Sequence, residues 1–178
     1  MKVKQFVPQI ECLSCDGCCR YSQKQTVWAP LFLFDEIVDL TARNIVPCCL
    51  FTHVDSHAGD SARIDLIEAD GGQFLCPCFG LNTNKCKIYA DRPFDCQLYP
   101  FLLAREQDKA YLAVDENCPY IKKTGISTKS MKDHVRYLVE FFSSENIVKV
   151  IKGNPKMIQE YPRSVHRLAL LPKLTGSI

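Results

Sequence analysis

The residues with the clearest chemical potential are eleven cysteines, all of which lie between Cys12 and Cys118. The first group, Cys12, Cys15, Cys18 and Cys19, has the spacing C-x2-C-x2-C-C. Two residues between cysteines let a tight loop bring two thiolates to one ion while its backbone amides face the sulfurs. Four cysteines within eight positions therefore predict metal ligation. Adjacent side chains of an extended segment point to opposite sides, so Cys18 and Cys19 favour two metal centres.

A second group is spread more widely along the chain and comprises Cys76, Cys78, Cys86, Cys96 and Cys118. The chain must fold back to bring these residues together, and the turn-forming segments 82–84 and 92–93 fit that requirement. Spacing alone leaves two interpretations of Cys78, Cys86 and Cys96 open, because a free cysteine is also a common small hydrophobic core residue.

Cys48, Cys49 and Cys76 are interpreted differently. Cys48 and Cys49 stand in the apolar run VPCCLF, which predicts packing in the core. For Cys76 both a ligand and a non-ligand role stay open, with the non-ligand role favoured, and a thiol so close to a metal site could be redox-active.

The ordered motifs resemble a known family. CLSCDGCC, followed by CFGLNTNKCKIYADRPFDCQLYPF, is similar to the YkgJ-like family of zinc- or iron-chelating cysteine-cluster proteins, over about Glu11 to Pro119. Gln97 stands where that family usually has arginine, so a positive charge beside a ligand is missing. The resemblance implies that the metal ligands are Cys12, Cys15, Cys18, Cys19, Cys78, Cys86, Cys96 and Cys118.

Arg92 is the predicted cofactor-binding residue outside the cysteines. Four thiolates around Zn²⁺ leave a net charge of about −2, which a nearby cation or several backbone amides must offset in a low-dielectric site. The alternative is a surface residue of a turn. Eight thiolates could hold two closed zinc sites, or one four-iron cluster and one zinc, so the choice between zinc and an iron–sulfur cluster stays open.

Composition and charge narrow the classes of function. Lysine and arginine exceed aspartate and glutamate by two, so no strong field attracts nucleic acid or an anionic membrane. The longest apolar stretch, residues 29–34, is far shorter than the roughly 20 residues of a membrane-spanning helix. The amino terminus lacks the apolar core of a secretory signal, so we expect a cytoplasmic protein whose cysteines stay reduced and bind metal.

Two functions from different classes remain. One is a metal-binding cysteine-cluster protein with a redox or protein-modification role. The other is a protein-interaction module in which the metal is purely structural, with an exposed Phe141–Phe142 face as its contact surface. Enzymatic activity, the protein partner and the oligomeric state are left open. His53 and His57 are interpreted as residues of a solvated loop rather than ligands.

The elements that position these residues predict an α+β fold. We expect a small metal-stabilised cysteine-cluster domain of short strands and helices at 1–120 and a helical C-terminal extension at 121–178. The Asp70–Gly72 turn predicts a hairpin, and Ser130 with Asp133 predicts a capping box. Helices are expected at 30–43, 131–142 and 145–152, and strands at 26–28 and 109–114.

Overall fold

The computed structural model describes residues 1–51, 61–161 and 165–176. The chain forms two compact units, residues 1–97 and 98–178. The predicted mixed α+β class with short strands and helices is confirmed. His53 and His57 lie outside the described residues.

The strands of the first unit are only two or three residues long and pair antiparallel throughout. They are β1 (Arg20–Tyr21), β2 (Leu31–Phe32), β3 (Ala62–Arg63), β4 (Ile67–Ala69), β5 (Gln73–Leu75), β6 (Phe79–Gly80) and β7 (Lys85–Cys86). The described strands form one three-stranded sheet, in the order β1-β5-β4, and two ribbons, β2-β3 and β6-β7. The predicted hairpin is β4–β5, and Gly71 and Gly72 both adopt the positive φ that its turn requires.

Among the described residues of this unit, three helices join the strands, namely α1 (Gln9–Leu13), α2 (Phe34–Ala42) and α3 (Phe94–Leu98). Short 3-10 turns lie at Gly17–Cys19, Cys48–Leu50, Asp70–Gly72 and Tyr89–Asp91. The helix predicted at 30–43 is confirmed as α2, which begins four residues later than expected.

Half-buried carboxylates fix the start of α3. Glu36 accepts the Phe94 N–H at 2.9 Å, and Asp95 accepts the Leu31 N–H at 3.0 Å. Burial raises the pKa of both carboxyl groups. These two bonds attach α3, which carries Cys96, to α2 and β2.

The second unit contains longer elements. Its sheet has the order β10-β9-β8 and is formed by β8 (Phe101–Glu106), β9 (Lys109–Asp115) and β10 (Val165–Leu170). Its helices are α4 (Pro119–Thr124), α5 (Lys129–Phe141) and α6 (Glu145–Lys152), and 3-10 turns lie at Pro155–Met157 and Pro172–Leu174. The helices predicted at 131–142 and 145–152 and the strand predicted at 109–114 are confirmed.

Several sequence predictions differ from the structure. The strand predicted at 26–28 is wrong, because the Ala29 N–H bonds the Thr26 carbonyl at 3.2 Å and closes a turn there. The cap of α5 is Thr128, whose hydroxyl accepts the Met131 N–H at 3.2 Å, because the helix starts before the predicted Ser130. The Phe141–Phe142 face is not exposed, since Phe142 is fully buried.

The region after residue 120 is not wholly helical. β10 lies within it and pairs antiparallel with β9, which precedes residue 120. The two compact units accordingly divide after Gln97, whereas the expected boundary at residue 120 rested on the distribution of cysteines. Within the described residues, no helix has the length and apolar character that crossing a bilayer demands.

Candidate metal centre

The pairing of β1 with β5 brings two distant cysteines together. Arg20 lies opposite Leu75 in this ladder, so the next pair outward is Cys19 and Cys76. The Cys76 N–H donates to the Cys19 carbonyl at 3.0 Å, which extends the ladder to that pair. Residues directly opposite each other in an antiparallel pair project to the same face of the sheet.

The β6–β7 ribbon adds two more cysteines. Phe79 lies opposite Cys86, and the Lys87 N–H donates to the Cys78 carbonyl at 2.8 Å. A turn that the Phe79 N–H closes on the Cys76 carbonyl, at 2.9 Å, connects this ribbon to the end of β5. Cys76, Cys78 and Cys86 are therefore held in one region by backbone hydrogen bonds.

The remaining members come from helical segments. Cys12 lies near the end of α1, Cys18 in the 3-10 turn before β1, and Cys96 in α3. Their sulfurs are close enough to the others that each charge alters the ionisation of its neighbours. We use the name thiol network for Cys12, Cys18, Cys19, Cys76, Cys78, Cys86 and Cys96.

Within the network, two pairs of cysteines are each joined by a hydrogen bond between their sulfurs. The Cys19 thiol donates to the Cys18 sulfur, which lowers the pKa of Cys18 and raises that of Cys19. The Cys78 thiol donates in the same way to Cys76, so the pKa of Cys76 falls and that of Cys78 rises. In each pair one sulfur thus becomes easier to ionise and its partner harder to ionise.

Burial opposes further ionisation of the network. It is the main reason that the pKa values of Cys12, Cys86 and Cys96 lie above that of an ordinary thiol. Negative charge on neighbouring sulfurs raises all three values further. A cation that binds the sulfurs would relieve both effects, because it stabilises the thiolate form.

Arg92 is a cation beside this network. Its charge opposes the rise in the pKa of Cys12 and Cys86 that burial causes. The guanidinium carbon lies 3.6 Å from the centroid of the Tyr89 ring, and Nε donates to the Tyr89 carbonyl at 3.0 Å. Gln97 donates to the Arg92 carbonyl at 2.7 Å and so holds the backbone of Arg92 in place.

The other cysteines implied by the resemblance are placed differently. Cys15 is half-buried, and its sulfur accepts the Gly17 N–H at 3.4 Å. Cys118 belongs to the second unit, where it is buried and immediately precedes α4.

The structure corrects the interpretation of Cys48 and Cys49, which lie outside that set. Cys48 and Cys49 are exposed, so the prediction of core packing is wrong. Val46 and Phe51, which flank them, fill the core, and the 3-10 turn between carries both cysteines outward. Cys76, which the sequence set apart from the ligands, belongs to the thiol network. The sequence signal for the position of Cys76 was the strand pattern that flanks the Asp70–Gly72 turn. The second of these strands leads directly into Cys76.

All eleven cysteines are free thiols in this structure. Across residues 1–51, 61–161 and 165–176, no three histidine, cysteine, aspartate or glutamate side chains form a group arranged to hold a metal ion. No family model matches the chain, and neither does any solved structure.

Proposed function

We propose that this chain is a metal-binding cysteine-cluster protein of the YkgJ-like type and that its thiol network binds zinc or an iron–sulfur cluster. The observation that carries the proposal is the convergence of seven free thiols from separate segments of the first unit beside a cation. Cysteines that serve only as small apolar core residues are neutral thiols and have no reason to gather from separate segments.

The chemistry of the donor set fits this proposal. Thiolates are soft ligands that select zinc and iron–sulfur clusters over magnesium, calcium and manganese. Arg92 supports the fit, because its charge would offset the excess negative charge of several thiolates in a buried site. Since no three described ligands are arranged around one point, metal binding requires the thiols to leave their hydrogen-bonded pairs and draw together.

The proposed ligands within the first unit are Cys12, Cys15, Cys18, Cys19, Cys78, Cys86 and Cys96. Zinc bound there would contribute folding free energy, and an iron–sulfur cluster would supply electron transfer. Thiols must lose their protons to bind as thiolates, so metal loading is expected to release protons and to weaken as the pH falls.

The test is elemental analysis of untagged full-length protein purified without oxygen. Stoichiometric zinc, or iron with acid-labile sulfide, would support the proposal. A reduced protein that binds neither zinc nor iron after reconstitution would overturn it. A brown protein that an added reductant bleaches would favour the redox role.

A second candidate is an interaction module in which inert zinc has a purely structural role. It is favoured by a groove of about 620 Å³ whose lining includes Ile10, Leu13 and Lys85. The Ile10 side chain is 79% exposed, although Cys12 of the same helix belongs to the thiol network. Colourless zinc-loaded protein without reducible iron would favour this candidate over the redox role.

A further inference from the structure

We propose that Cys76 is an additional ligand of the metal held by the thiol network, an inference that rests on the metal-binding function proposed above. Neither the C-x2-C-x2-C-C motif nor the resemblance includes this residue. The argument for it is the backbone geometry around the ends of β1 and β5.

Cys76 and Cys19 form a cross-strand pair. Their neighbours Arg20 and Leu75 are in register, and the Cys76 N–H donates to the Cys19 carbonyl at 3.0 Å. The Cβ atoms of such a pair lie about 4.5–5.5 Å apart and on one face of the sheet. That separation suits two thiolates bound to a single ion, because each sulfur extends from its Cβ atom toward the space between them.

Cys76 is also joined to the next ligands along the chain. The turn from Cys76 to Phe79 closes through a 2.9 Å backbone hydrogen bond, and the Cys78 thiol donates to the Cys76 sulfur. Phe79 pairs with Cys86 across the β6–β7 ribbon. Cys76 therefore occupies the point where the segment that carries Cys18 and Cys19 meets the segment that carries Cys78 and Cys86.

Burial distinguishes Cys76 from Cys48 and Cys49. Its exposed fraction is 6%, the same as that of the proposed ligand Cys78, whereas Cys48 and Cys49 are exposed. A buried sulfur surrounded by other sulfurs would stay within the coordination sphere when those sulfurs close on an ion.

The direct test loads the full-length reduced protein with ¹¹³Cd²⁺, which thiolates bind as they bind zinc, and records ¹H–¹¹³Cd correlation spectra. Each ligating cysteine gives a cross-peak from its Hβ protons, so no substitution is needed. We expect cross-peaks from Cys76, Cys78 and Cys86. Cross-peaks from Cys78 and Cys86 without one from Cys76 would overturn this inference and leave metal binding intact. Absence of any cysteine cross-peak would overturn the proposed function itself.

Substitutions give an independent measurement. Cys76→Ser should weaken Cd²⁺ binding by at least about 10-fold, as Cys78→Ser should, because removal of even an outer-shell partner costs about 10–100-fold in metal affinity. Cys48→Ser is the matched control, since its thiol is exposed and outside the network, and it should bind like the wild type. Equal affinities of Cys76→Ser and Cys48→Ser would contradict a ligand role. Far-UV circular dichroism of the metal-free variants shows whether each is folded, and the correlation spectrum of the wild type decides the question if Cys76→Ser is not.

Discussion

The two units of this chain differ in the length of their elements and in their sulfur content. Strands of the first unit span two or three residues, whereas β8 and β9 of the second span six and seven and α5 spans thirteen. Ten of the eleven cysteines lie in residues 1–97, and Cys118 alone lies in the second unit.

The difference indicates what stabilises each unit. A long hairpin and an amphipathic helix bury a continuous apolar face, and Leu112, Val114, Leu138 and Ile151 in the second unit are completely inaccessible. A two-residue strand contributes few ladder hydrogen bonds and a small apolar surface, so the first unit gains less from regular structure. Metal ligation by cysteines from several segments would compensate, because it adds folding free energy without longer elements.

The largest expected effect is therefore that of bound metal on the stability of the first unit. Zinc should raise the free energy of local unfolding in residues 61–97 by several kcal/mol, given the roughly 10–16 kcal/mol of structural zinc in finger peptides. Hydrogen exchange of zinc-loaded and chelator-treated protein, both reduced, would measure this change. Residues 101–115, which form β8 and β9, serve as the internal control and should change much less. An equal rise in the free energy of local unfolding in both regions would contradict the view that metal stabilises the first unit more than the second.

A substitution that creates a cavity in the second unit should have the next largest effect on stability. Leu112→Ala removes a side chain that is wholly buried in β9, and substitutions of this kind cost about 2–5 kcal/mol. Urea denaturation followed by far-UV circular dichroism would report the loss. Val150→Ala on α6 is the matched control, because Val150 is exposed and should cost well under 1 kcal/mol. A loss at Leu112 no greater than that at Val150 would count against an apolar core in this unit.

Arg92→Ala should lower metal affinity by about 10- to 100-fold, because the thiolates lose a neighbouring positive charge. Competition with a chromophoric chelator would measure the change. Arg43→Ala is a suitable control, since Arg43 is exposed and pairs with Asp39 and Asp91 at 2.9 and 2.7 Å. Unchanged metal retention in Arg92→Ala would remove this arginine from the site.

The smallest effect is expected at the start of α5. Thr128→Ala removes the hydroxyl that accepts the Met131 N–H, and loss of such a cap costs about 1 kcal/mol. The urea midpoint should fall accordingly, whereas Ser130→Ala should change it little, because Ser130 lies inside the helix. If Ser130→Ala lowered the urea midpoint more than Thr128→Ala did, the prediction that Ser130 is the cap would be correct after all.

Local patterns predicted much of the fold. The apolar period from Met131 to Phe142 identified α5, and the Asp70–Gly72 turn identified the β4–β5 hairpin, because both signals arise within about a dozen residues. The pairing of β1 with β5 was not predictable in this way. It joins Cys19 to Cys76 across more than fifty residues, and strands of two or three residues carry too little pattern to reveal their partners.

The same limit applied to the candidate site. The spacing of Cys12, Cys15, Cys18 and Cys19 was visible because the motif is local, and Arg92 was found from a charge argument. The neighbourhood of Cys76 depends on the register of a distant strand. The outward turn at Cys48 and Cys49 depends on which neighbours fill the core, and in VPCCLF those are Val46 and Phe51.

The exposed thiols have a practical consequence for anyone who handles this protein. Cys18, Cys48 and Cys49 are the cysteines open to solvent, so alkylating reagents should reach them before the rest. Occupation of the cluster should shield Cys18 while the adjacent pair at 48 and 49 stays reactive. The number of rapidly labelled sulfurs, read from the mass of the intact chain, should then fall from three to two and serve as a simple gauge of occupancy.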